Sequence, residues 1–84
     1  MNSYEKMQKR IYLIISKALS IDESEINGEL GPGDTPQWDS LAQQSLIFTL
    51  EKELKMTFNI DEVLEMECVD DIIEIVEEKT KIGD

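Results

Sequence analysis

Apolar residues in this chain recur with the period of a helix and never with that of a strand. That restricts the fold more than any other feature. Tyr4, Met7, Ile11, Ile14, Ile15, Ala18 and Leu19 follow one another at spacings of three and four. Such spacing lines one face of an amphipathic helix and leaves the charges on the other, and predicts a helix over 3–19. A second helix is expected from about Ser40 to Lys55, with Leu46, Ile47, Leu50 and Leu54 as its core stripe and either Asp39 or Ser40 as its N-cap. Asn59 with Glu62 three residues later resembles a capping box. It opens a short third helix through Val63, Leu64 and Met66. The fourth runs from about Val69 to Lys79, with Val69, Ile72, Ile73 and Val76 inward. No repeat or linker interrupts the pattern, so residues 1–84 read as one small all-α four-helix bundle.

Residues 20–39 lack a period and contain Gly28, Gly31, Pro32, Gly33 and Pro36. A twenty-residue connection is long for a compact domain, and such loops are usually functional or disordered. Ile21, Ile26 and Leu30 are expected to pin this one to the core as it crosses the bundle. At 84 residues the chain supports one modest core.

Nineteen acids against eight bases give a net charge of −11. A surface so acidic repels phosphate backbones, which argues against nucleic acid and favours basic or amphipathic protein partners. The charge is uneven, because residues 1–20 carry Lys6, Lys9, Arg10 and Lys17 against Glu5 alone. That basic start precedes I-Y-L-I-I, but Ser16-Lys17 ends the apolar run far short of a signal peptide's core. Nothing approaches the ~20 apolar residues of a membrane span. A lone cysteine, Cys68, forms no internal disulfide, in keeping with a reducing compartment. A soluble, monomeric, cytoplasmic protein is expected.

With no histidine in the chain, Ser–His and Cys–His nucleophile pairs are impossible, as are histidine metal sites. Asp22, Glu23, Glu25 and Glu29 suggest calcium, but a calcium loop beginning at Asp22 requires glycine where Asn27 stands. Cys68 has no basic neighbour in sequence and reads as a small core residue rather than a reactive thiol. The chain has no Gly-rich phosphate cradle. The residues point away from an enzyme and away from a metal centre.

The remaining candidate is Ser40, in P-Q-W-D-S-L-A at 36–42. Serine before an apolar helix is commonly only a cap. The run W-D-S-L-A-Q-Q-S-L-I-F-T-L-E-K-E-L, however, resembles the start of the second helix in the acyl carrier protein family. The likeness extends from about Tyr4 to Val76 and includes the long pinned loop and F-N-I-D-E-V-L-E-M-E-C-V-D-D-I-I-E-I-V. The resemblance implies that Ser40 receives 4′-phosphopantetheine covalently from coenzyme A, and that Asp39 assists the modifying synthase, in part through its magnesium ion. It also implies a phosphopantetheinyl transferase and acyl-loading and acyl-processing enzymes as partners, with docking on the second helix. On that helix Leu41, Gln44 and Phe48 form a stripe beside Ser40. Phe48 has core and docking readings that spacing alone does not separate. Glu51, Glu53, Asp61, Glu62 and Glu65 supply an acidic field for basic partners.

Two features depart from carriers of fatty-acid synthesis. Trp38 stands where a small residue usually precedes Asp-Ser-Leu, and Gln43, Gln44 and Ser45 replace early acids. The W-D-S-L form looks more like specialised stand-alone carriers, or the carrier domains of polyketide and nonribosomal-peptide systems. Three readings follow: an acyl carrier, an aminoacyl or peptidyl carrier, and an unmodified acidic helical adaptor in which Ser40 merely caps.

Overall fold

A computed structural model describes residues 3–82. Four α-helices, with no strand among these residues, make a small bundle: α1 (Ser3–Leu19), α2 (Ser40–Leu54), α3 (Ile60–Leu64) and α4 (Val69–Ile82). Helix α1 packs against both α2 and α4. The radius of gyration is 11.9 Å, about what a compact domain of this length has. No helix among the described residues is long and apolar enough to cross a membrane.

The core is the apolar face of each helix. Ile11, Ile14, Ile15 and Leu19 of α1 meet Leu46 and Leu50 of α2 and Val69, Ile72, Ile73 and Val76 of α4, all buried. Ile47 and Leu54 are only half-buried at its edge, and Tyr4, at the start of the α1 stripe, is exposed. In α3 the expected run splits. Met66 is buried just beyond the helix, Val63 is half-buried, and Leu64 is 73% exposed. A five-residue helix has too few turns to bury more than one narrow side. Cys68 is half-buried beside the buried Val69.

The long loop is held tightly. Ile21 and Ile26 are buried and Leu30 half-buried, as the spacing predicts. The loop also satisfies the first amides of α4: Val69 N–H donates to the Leu30 carbonyl (2.8 Å) and Asp70 N–H to the Gly28 carbonyl (3.0 Å). Those amides have no intrahelical acceptor, so loop and helix complete each other. Gly31 lies so close to the α3–α4 connection that a β-carbon there would collide with the Glu67 carbonyl. The loop is therefore fixed at one end of the bundle, where it delivers the chain to the start of α2.

Candidate functional site

The start of α2 is built by a compact turn. Trp38 N–H donates to the Thr35 carbonyl (3.0 Å), and the Trp38 carbonyl accepts from Gly33 N–H (2.8 Å). Gly33 has φ of +89°, a left-handed conformation that glycine adopts without a steric penalty. Asp34 stabilises the same turn by accepting from Gly31 N–H (2.9 Å). The Trp38 side chain is completely buried, and its indole Nε1–H donates to Gln43 Oε1 at 2.6 Å.

From this anchored tryptophan the chain enters the helix with Asp39 in extended conformation as the N-cap. Its Oδ1 accepts from Ala42 N–H (2.9 Å), and its carbonyl accepts the first helical bond from Gln43 N–H (2.9 Å). The cap left open between Asp39 and Ser40 thus belongs to Asp39. Ser40 is the first helical residue and is exposed. Its hydroxyl makes no hydrogen bond with the described residues. The Ser40 and Leu41 amides also lack acceptors among the described residues, leaving two donors at the positive end of the helix dipole. An exposed hydroxyl, free backbone donors and open solvent meet there.

Beside Ser40 lies an open depression of about 520 Å³, lined by Pro32, Gly33, Trp38, Asp39, Gln43 and Gln44. Gln43 and Gln44 follow Ser40 by three and four residues and so share its face of α2. Leu41 and Phe48 are 76% and 69% exposed, with the exposed Gln44 between them on the helix surface. Helix α3 adds Ile60 and Leu64, 76% and 73% exposed. Phe48 is therefore a surface residue and contributes little to the core.

The acids expected to form a docking field are not equivalent. Glu53, Asp61 and Glu65 are exposed. Glu51 is half-buried, and its Oε2 accepts from Phe58 N–H (2.9 Å), bracing the α2–α3 connection. Glu62 completes the predicted capping box: it accepts from Asn59 N–H (2.9 Å), while Asn59 Oδ1 accepts from Glu62 N–H (2.8 Å). It also pairs with Lys79 at 3.0 Å, and the Lys79 ammonium lies 5.6 Å from the centre of the Phe58 ring. The Asn59 amide first, and then Lys79, hold the Glu62 carboxyl below its ordinary value of 4.5. Among the described residues no group of histidine, cysteine and carboxylate side chains has the arrangement of a metal site.

Sequence spacing missed the Trp38–Gln43 pair. A signal was present: the chain's one tryptophan follows a stretch, 31–37, without a large apolar side chain, and a carboxamide stands five residues later. A buried indole N–H needs an acceptor. Compared with known proteins, the chain matches no family model and no curated protein.

Proposed function

We propose that this protein is an acyl carrier whose Ser40 is the attachment point for phosphopantetheine. The observation that carries the reading is that Ser40 occupies the first position of α2 with nothing structural to do. Asp39 already caps the helix, and the serine hydroxyl is exposed. Together with the W-D-S-L register, this favours a modified serine over a capping one, which is the adaptor reading.

The local chemistry fits the group. Ser40 Oγ is accessible to a transferase, and its proton passes to a base on that enzyme as the oxygen bonds to phosphorus and the nucleotide part of coenzyme A departs. The resulting phosphodiester carries negative charge beside the unpaired Ser40 and Leu41 amides, where the helix dipole is favourable. When bound, the group supplies a thiol that holds cargo as a thioester. The protein contributes tethering, which raises the cargo's effective concentration near partner enzymes. Leu41, Gln44 and Phe48 present an apolar and amide surface for those enzymes, and the exposed Glu53, Asp61 and Glu65 add charge for basic ones.

Incubation with coenzyme A, magnesium and a broad-specificity phosphopantetheinyl transferase tests the reading. Intact mass should rise by one arm, about 340 Da, and Ser40→Ala should not change. No gain, or modification at Ser45 or Ser20, overturns it. Loading the modified protein with acyl-transferring or amino-acid-activating enzymes then separates an acyl from an aminoacyl cargo.

A further inference from the structure

We propose that the depression beside Ser40 is a resting site for the tethered arm, with the carboxamides of Gln43 and Gln44 as its binding groups. This rests on the carrier reading and adds where the arm lies when no enzyme holds it.

The argument begins with the indole. A tryptophan N–H only donates, so Gln43 must present its oxygen to Trp38. That fixes the carboxamide and leaves its NH₂ as a donor with no acceptor among the described residues. Gln43 is half-buried in the wall of the depression, and Gln44 lies exposed at its edge. Pro32 and Gly33 supply apolar lining, and the buried Trp38 beneath them holds Gln43 in place. The site therefore offers one oriented amide donor, from Gln43, with the Gln44 carboxamide at its rim, over a partly apolar floor. Asp34 and Asp39 nearby disfavour any further anion beyond the attachment phosphate.

A neutral, flexible chain rich in amide carbonyls and methylenes matches this lining, and a pantetheine arm has that composition. Attachment at Ser40, one helical turn from both glutamines, makes the contact intramolecular, so even weak hydrogen bonds suffice to populate it. The bound arm would lie over the loop and the first turn of α2, outside the bundle. Gln43 and Gln44 thus act as positioning residues for the arm.

NMR of isotope-labelled protein carrying an unlabelled arm tests this, after intact mass has confirmed loading. The Trp38 indole and the Gln43 and Gln44 NH₂ signals should shift on loading, and nuclear Overhauser contacts should connect the arm with Gln43 and Pro32. Gln43→Glu is the discriminating variant, because its carboxylate still accepts from the indole but cannot donate to the arm. Its fold and the protection of the indole N–H from solvent exchange should be retained while arm contacts fall several-fold; Gln44→Leu should weaken them as well. An arm with sharp coil-like signals and no such contacts overturns the proposal. So do contacts to Leu46 or Leu50 in the core, or contacts that both variants leave unchanged. Failure to load at all is seen first in the mass, and it overturns the carrier reading and this inference together.

Discussion

At the scale of single residues, neighbouring side chains at the start of α2 divide the work. Asp39 holds the helix end, while the Ser40 hydroxyl makes no hydrogen bond with the described residues. Asp39→Ala should therefore cost about 0.5–2 kcal/mol, as loss of an N-cap does. Ser40→Ala should stay within about 0.5 kcal/mol, as surface substitutions do. Urea denaturation of the two variants checks this, and equal costs would return the cap to Ser40. Phe48 presents a similar choice between structure and surface. At 69% exposed, its truncation leaves no cavity, so Phe48→Ala should change folding stability by less than about 0.5 kcal/mol, against about 3–5 for a buried phenylalanine. In the carrier reading it should weaken transfer to a cognate enzyme by about 1–3 kcal/mol, the loss typical of an interface anchor. A normal transfer rate with Phe48→Ala would remove it from the docking surface.

Elements were legible in the sequence where local signals coincide with their cause. Helix α2 begins after an Asx-type cap, α3 has its capping box, and α4 buries the four residues its period selects. These features depend on backbone groups within a few residues, which spacing encodes directly. The burial of Trp38 was signalled only by a lone tryptophan with a carboxamide five residues on, because it depends on Gly33 and Gly31 folding the loop back and on Gln43 across the helix entrance, none of which is periodic. Nor does a carboxylate's sequence position reveal that Glu51 braces Phe58, or that Glu62 reaches Lys79 seventeen residues away. Exposure of Leu41 and Phe48 was legible as a stripe, but not its separation from the core. Glu62 makes α3 an acid-sensitive element. Its carboxyl is lowered in the folded state, so its stabilising effect is present above the ordinary value of 4.5 and is lost as pH falls through the lower folded value. The Asn59 amide, followed by NMR from neutrality downward, should hold its position to about pH 4.5 and move below it. Glu62→Gln keeps an acceptor for that amide but does not titrate, and should flatten the transition. An identical acid response in the variant would assign it to another carboxylate.

For the whole molecule, the decisive quantity is charge in relation to size. Eight bases oppose nineteen acids, and four of the bases lie in the first twenty residues. Their helix packs against α2 and α4, and Arg10 reaches across to donate to the Glu53 carbonyl at 2.7 Å. The rest of the chain is strongly negative, and Glu65, Glu67, Asp71, Glu74 and Glu78 surround one open groove. The molecule measures 37 × 30 × 20 Å. At an ionic strength of about 0.01 M the screening length is roughly 30 Å, so nearly every acid repels nearly every other; at about 0.15 M it is roughly 8 Å and only neighbours interact. Unfolding separates these charges, so repulsion weighs mainly on the folded state. Adding sodium chloride across that range should therefore stabilise the fold. A gain of about 1 kcal/mol would appear as a rise of about 4–8 °C in melting temperature for a domain of this size. Thermal melts followed by circular dichroism at fixed pH measure it directly. A melting temperature that is flat or falls with salt would mean that the basic face of α1 and ion pairs such as Glu62–Lys79 already balance the acids. In that case long-range repulsion does not limit this fold.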